Sequence, residues 1–325
     1  MPQSVFMEPS NPLSNKYYEN LATLIKNSGF KVRPATDFWD ASIFHKPTKQ
    51  IVIISWIEDR VARPTFLQCA HEFLLSLFKI VLIKLFRHKL VWIKHNYQPH
   101  ALSQSVFPAQ ILNKTLLLIL SWVANLKLAH SQSFCAKNQD FVYLPHPRYK
   151  IGKVESTKEV EFLVFGRLMR YKGIVELLEH WPEELQLKIV GNPENAELQS
   201  DIEFSIKRRN LLVDFEPRFL SLEELDNLLT RTRCVICSNV EDSMIASGVM
   251  IHALSAGCFV LARYSEFAGE MVNNEFAVGT FKQLPDITKM LPNLDFSKMD
   301  NQYKQFSISH GDNVLSCEIE KLFSD

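Results

Sequence analysis

Val164-Phe165-Gly166-Arg167-Leu168-Met169-Arg170-Tyr171-Lys172-Gly173 is the stretch that decides the fold. The apolar run Phe162 to Phe165 predicts a buried strand that ends at Gly166. Basic residues follow, and Val175-Glu176-Leu177-Leu178-Glu179-His180 predicts a helix. A strand that turns into a helix through glycine and cations is a place to hold an anion, because the helix start offers free N–H groups and a positive dipole end. Arg167 and Lys172 add full charges that suit a diphosphate, and Gly166 lets the backbone approach it. An ordinary strand–loop–helix connection with a solvated basic face accounts for the stretch equally well when it is taken alone, and Arg170 reads as solvated.

The same alternation continues outward. Strand 187–190 ends at Gly191-Asn192, a charged helix spans 194–209, and a short strand covers 211–215. Ser221, followed by Glu223 and Glu224, reads as an N-cap with first-turn acids. Strand 234–237, a helix over 249–256 closed by Gly257, and strand 259–262 complete the half. Strands separated by helices imply a parallel sheet with right-handed crossovers, and ligands of such sheets sit outside the carboxyl ends of the strands. Gly166, Gly191, Asn192 and the loop 238–248 all fall at such ends. Ser247 and Gly248 start the helix over 249–256, so Ser247 caps it and its first N–H groups point at an anion. His252, one turn in, is either a hydrogen-bonding partner for a ligand or a packed histidine.

The first half repeats the pattern more weakly. Helix 16–27, a short strand at 31–32, strand 51–54, a long helix over 65–87 and strand 90–93 are expected, followed by helix 110–128 and an apolar run at 141–144. Pro145-His146-Pro147 and the polar segment after it mark a boundary. The expected domains are residues 1–148 and 149–325, with the last helix able to return to the first. His95, Asn96 and His100 lie on the loop at the end of strand 90–93, where two histidines and an asparagine within six residues favour function over packing. Glu58 and Asp59 follow strand 51–54 and are the first-half acids best placed to take a proton from a hydroxyl, although a solvated loop is the plainer reading.

Bulk properties bound the chemistry. The 325 residues carry 36 basic and 36 acidic side chains, so no net charge points to nucleic acid. Six scattered cysteines read as reduced, mostly buried thiols. Cys234 and Cys237 lie three apart on a strand, point to opposite faces and cannot share a metal there. No secretory signal is expected at the polar start, which reads as cytoplasmic. Residues 73–86 and 116–124 are apolar, but the first is broken by Lys79 and Lys84 and the second is short. The first is expected either in a core or lying on the inner face of the cytoplasmic membrane, lysines against anionic lipid.

These motifs together resemble the GT-B glycosyltransferases, most strongly over residues 161–275, and in particular the bacterial exopolysaccharide, capsule and lipopolysaccharide sugar transferases of glycosyltransferase group 1. Phe165-Gly166-Arg167 to Lys172-Gly173 looks like the family's diphosphate loop, and Ile189-Val190-Gly191-Asn192 like its glycine-bearing strand end. Ser247-Gly248 with Ala253-Leu254-Ser255-Ala256-Gly257 looks like its donor-binding helix. Trp92-Ile93-Lys94-His95-Asn96-Tyr97-Gln98-Pro99-His100 is similar to a loop of exopolysaccharide transferases. The chain departs from the pattern where many relatives carry two glutamates, since Met244 and His252 stand at those positions.

The resemblance implies an α/β chain of two Rossmann-like domains facing across a cleft. It implies transfer of a sugar, a hexose by expectation, from a nucleotide-diphosphate donor to a saccharide or lipid-linked acceptor in cell-surface polysaccharide synthesis. Gly166, Arg167, Lys172, Gly191, Asn192, Ser247, Gly248 and His252 would bind the donor. His95, Asp59 and Glu58 would be catalytic, and Asn96 and His100 would lie on the acceptor side. With no Asp-x-Asp pair, no metal and no cofactor beyond the nucleotide sugar are expected. A non-catalytic GT-B subunit that binds a partner or membrane is the alternative, motivated by the missing glutamates. A dinucleotide-binding oxidoreductase lacks its G-x-G-x-x-G after the first strand.

Overall fold

The computed structural model describes residues 3–9, 15–39, 49–97, 107–152, 157–240 and 244–324. The chain divides into two compact units. The first comprises Met1–Pro147, Ser243–Ala246 and His310–Asp325, and the second Arg148–Asp242 and Ser247–Ser309.

The first unit runs β1 (Ser4–Glu8), α1 (Lys16–Asn27), β2 (Lys31–Pro34), α2 (Ala35–Asp37), β3 (Ile51–Ser55), α3 (Ile57–Arg60), α4 (Phe66–Leu85), β4 (Lys89–Lys94), α5 (Phe107–Val123), β5 (Leu126–Ala129), α6 (Gln132–Lys137) and β6 (Val142–Tyr143). All six strands are parallel, in the order β2-β1-β3-β4-β5-β6. Alternate residues of each central strand face opposite layers. Val5, Met7, Ile51, Ile53, Val91 and Ile93 pack with Tyr18, Leu21 and Ile25 of α1. Phe6, Val52, Ile54, Leu90 and Trp92 pack with Ile80 and Ile83 of α4 and Leu116 and Leu120 of α5. Buried on both faces, these strands read as near-continuous apolar runs rather than alternating ones.

The second unit runs β7 (Val160–Phe165), α7 (Ile174–His180), β8 (Leu187–Val190), α8 (Ala196–Arg208), β9 (Val213–Glu216), α9 (Leu222–Thr230), β10 (Thr232–Cys237), α10 (Gly248–Ser255), β11 (Phe259–Arg263), α11 (Glu266–Asn273), β12 (Val278–Phe281), α12 (Ile287–Met290) and α13 (Met299–Ser309). Its strands, again all parallel, lie in the order β12-β11-β10-β7-β8-β9. The direction of strand progression reverses between β7 and β10. That is the point at which an open α/β sheet leaves a crevice at its carboxyl edge. In the first unit the reversal falls between β1 and β3.

The last helix, α14 (Asp312–Ser324), belongs to the first unit. Leu315, Ile319 and Phe323 join the α1 side of its core. Lys89, buried at the start of β4, donates from Nζ to the carbonyls of Leu322 (3.0 Å) and Phe323 (3.4 Å) at the end of α14. A cation there satisfies orphan carbonyls and opposes the negative end of the helix dipole.

Several elements differ from the sequence reading, β1 and β5 among them. β1 was not anticipated, because its apolar signal is only three residues long. The helix expected over 110–128 ends at Val123, and β5 follows. Asn125 makes the break: its Oδ1 accepts from Leu90 N (2.9 Å) and Lys84 Nζ (3.1 Å), and its N–H donates to Leu90 O (2.9 Å).

Candidate functional site

In the second unit the loop after β7 is pinned on both sides at the point of strand reversal. Gly166 N donates to Val190 O (3.1 Å) and Leu168 N to Asn192 O (3.0 Å), so it runs beside the loop after β8. Gly191 makes that approach possible, since a Cβ there would stand 1.9 Å from Gly166 O. On the other side Val240 N donates to Tyr171 O (2.8 Å) and Ser238 Oγ to Lys172 O (2.6 Å), joining it to the loop after β10. Gly173, at φ +63°, seals this contact, because a Cβ would lie 2.6 Å from Val240 Cγ1.

Around this backbone frame the two cations behave differently. Lys172 folds inward and its Nζ reaches Phe165 O at 3.5 Å, next to Gly166. Burial lowers its pKa to about 8. The same burial pushes the Cys237 thiol up to about 12, so it stays protonated. Arg167 is exposed, and its guanidinium has no hydrogen bond or ion pair among the described residues. Arg170, by contrast, faces Glu194, Glu197 and Asp201 in a surface network. Asn192 is exposed beside the frame.

Helix α10 begins as the sequence predicts, with Ser247 Oγ accepting from Met250 N at 3.4 Å. Gly248 sits beneath the Tyr149 hydroxyl, which a Cβ would meet at 3.3 Å. His252 stacks on the Tyr149 ring (4.3 Å, 13°), and its Nε2 is 2.8 Å from Asp226 Oδ1 on α9. Its edge also meets Phe165, the last residue of β7 (5.9 Å), which ties α10 to the end of that strand. His252 is therefore a packed residue with one ring nitrogen engaged by a carboxylate. Neither Tyr149 nor Asp226 was identified from the sequence, since partners from distant segments leave no local spacing.

In the first unit, His95 and Asn96 follow β4 and are buried. Asn96 Nδ2 donates to Asp59 Oδ2 at 3.1 Å, and Ile245 N donates to His95 O at 3.0 Å. His95 stacks on Trp56 (4.0 Å, 11°), a residue held at φ 49°, ψ 32° where the chain leaves β3. A left-handed, non-glycine residue persists only where its surroundings over-determine it, commonly at functional sites. Glu58 lies on α3, but its side chain is outside the described residues, as is His100.

The structure adds neighbours that the sequence did not point to. The Tyr17 ring meets those of His95, His130 and His146, and His130 also meets His95 and His146, with ring centroids 5.0–5.4 Å apart. His130 and His146 end β5 and follow β6, so three successive strand ends each deliver an imidazole. Burial holds all three well below the ordinary histidine range, His130 at about 4, with its Leu144 carbonyl contact opposing. The neutral tautomer of His130 follows from its partners: Nδ1 donates to Leu144 O (2.8 Å) and Nε2 accepts from the Tyr17 hydroxyl (2.7 Å). No group of three or more His, Cys, Asp or Glu among the described residues is arranged to hold a metal ion.

No family model matches the sequence, and no curated protein sequence matches it either. Solved structures do match. The fold is similar to a glycosyltransferase from Rickettsia africae ESF-5, at 10% identity and TM-score 0.60, over 100% of this chain and 99% of that one. It is similar to the N-terminal domain of the Candida albicans trehalose-6-phosphate phosphatase, at 13% identity and TM-score 0.66, over 100% and 99%. It is also similar to the UDP-forming α,α-trehalose-phosphate synthase of Burkholderia xenovorans in complex with glucose-6-phosphate, at 10% identity and TM-score 0.61, over 99% of each. At such identities the likeness defines the architecture: the chain has two Rossmann-like domains and the GT-B fold of glycosyltransferases.

Proposed function

We propose that this protein is a glycosyltransferase that moves a sugar from a nucleotide-diphosphate donor to an acceptor hydroxyl. The observation that carries the reading is the frame at the β7/β10 reversal. There two close approaches that need glycine, at Gly191 and Gly173, hold an inward Lys172 beside an exposed Arg167 that has no partner among the described residues. An exposed guanidinium held at a ligand crevice, with no carboxylate partner among the described residues, is suited to a phosphate, which it can bind bidentately.

As the bond from the anomeric carbon to the diphosphate breaks, negative charge grows on the leaving oxygen. Arg167, the Lys172 ammonium and the first-turn amides of α10 stabilise that charge. His252 is committed to Asp226 and Tyr149, so it orders α10 rather than replacing a ribose-binding glutamate. We assign the acceptor-side chemistry to the first unit. Asp59, oriented by Asn96, takes the proton of the attacking hydroxyl, and His95 serves as a neutral hydrogen-bonding imidazole. The acceptor class we favour is a lipid-linked saccharide of cell-surface polysaccharide synthesis.

Release of nucleoside diphosphate from a panel of nucleotide sugars tests the reading. Wild-type protein should turn over at least one donor, and Arg167→Ala should abolish that turnover with the fold intact. Unchanged turnover in the variant sinks the assignment. Absence of both turnover and nucleotide binding in the wild type would favour a non-catalytic GT-B subunit instead.

A further inference from the structure

Helices α4 and α5 lie side by side on one face of the first sheet, and each is buried only on its inner side. The outer side of α4 carries Leu67, Leu74, Phe78, Val81 and Leu85, at 79%, 61%, 60%, 52% and 69% exposure. Their spacing of seven, four, three and four residues places them in one stripe of an α-helix. On α5, Ile111, Leu118 and Trp122 form a parallel stripe, and Trp122 is 84% exposed. An exposed apolar surface of this extent calls for a covering partner.

The charge pattern says which kind. From Phe73 to Gln139 the chain contains no Asp or Glu but eight cations: Lys79, Lys84, Arg87, Lys89, Lys94, Lys114, Lys127 and Lys137. Arg87, just past the end of α4, and Lys114, between Ile111 and Leu118 on α5, are exposed and make no ion pair among the described residues. Apolar stripes bordered by unpaired cations, with an exposed tryptophan at one end, match an anionic lipid surface.

Helix α4 is long and apolar enough to cross a bilayer by length and composition. Its inner side forbids this. Lys79 Nζ donates to Glu8 Oε1 at 2.5 Å, and Arg60 Nη1 donates to the same oxygen at 2.6 Å. Removing α4 from the unit would strip a cation from a buried carboxylate and uncover Ile80 and Ile83 of the core.

We infer that the α4–α5 face docks flat on an anionic bilayer, its two stripes inserted among the acyl chains near the headgroups and Arg87 and Lys114 on lipid phosphates. The inference is independent of the donor site, because it needs no nucleotide. Flotation of the full chain with phosphatidylcholine vesicles, with and without phosphatidylglycerol, tests it. Binding should require phosphatidylglycerol and weaken as salt is raised. Phe78→Ser with Trp122→Ser, both at exposed positions, should lower the vesicle partition coefficient at least about tenfold while leaving the thermal midpoint and any donor turnover in solution unchanged. Arg87→Gln with Lys114→Gln should weaken binding to anionic vesicles and remove its salt dependence. Absence of binding to either vesicle overturns the inference. So does a dimer in sedimentation equilibrium that the Phe78 and Trp122 substitutions dissociate, since the face would then be a contact between two copies.

Discussion

Lys172 shows how much a single position can carry. Its ammonium is pressed against the end of β7, and burial lowers its pKa to about 8, so near neutral pH most of the population is charged. A diphosphate beside it favours the charged form and draws a proton on binding above that pKa. Donor affinity should therefore fall as pH rises past 8, by up to about tenfold per pH unit, until the pKa of the bound state is reached. Titrations between pH 7 and 9.5 check this, and Lys172→Arg should flatten the profile because a guanidinium keeps its charge. Arg167 and Lys172 were both readable from the sequence, because the anion-binding logic of glycine plus cation is local. The inward turn of Lys172 was not. It depends on Ser238 and Val240, more than sixty residues away, which hold the loop from the other side.

The element scale turns on loop contacts rather than on helix or strand propensity. The loops after β7 and β8 touch through Gly166 and Gly191, and no side chain fits between them. Gly191→Ala should cost on the order of 3 kcal/mol, read as a shift in the urea midpoint of the second unit, and should weaken donor binding by spreading the two loops. A variant with wild-type stability would mean that the contact relaxes freely. The sequence singled out Gly191 as a strand-end glycine but not as the partner of Gly166, since parallel pairing of β7 with β8 brings together residues twenty-five apart. The same cause hid β5. Leu126-Lys127-Leu128-Ala129 continues the apolar run of α5, and only the tertiary contacts of Asn125 with Leu90 and Lys84 mark where helix gives way to strand. Helix starts were more legible: Ser221 and Ser247 cap α9 and α10 where the sequence places them, because a cap is a matter of three or four residues.

For the molecule as a whole, two parallel sheets of six strands bring candidate site residues to carboxyl strand ends in both units. In the first unit those ends deliver His95, His130 and His146, all kept neutral by burial. The unfolded chain binds protons on these imidazoles below about 6.5, whereas folded His130 does so only near 4. Stability is thus complete above pH 6.5 and is lost as pH falls from there toward 4. His130 alone should account for about 2 kcal/mol by pH 5. Thermal melts at pH 7, 6 and 5 should show a progressive fall that His130→Gln diminishes. An unchanged midpoint would mean that the cluster opens to water without cost. The α/β class and the repeating order of strands and helices were legible because buried strands and amphipathic helices leave periodic patterns. The histidine cluster was not, because its members come from three strand ends spread over fifty residues.

Isothermal titration shows whether the β7/β10 reversal binds the diphosphate of a nucleotide sugar. UDP-, GDP-, dTDP- and ADP-sugars should be titrated into the wild-type protein and into Arg167→Ala, with melting curves recorded for both. The wild type should bind at least one donor saturably. The variant should bind that donor about tenfold to a hundredfold more weakly, as expected for one charge-assisted phosphate contact, with the melting curve unchanged. Equal affinity in the two proteins, or binding of none of the donors by a folded wild type, would mean that the diphosphate does not sit on Arg167 at this reversal.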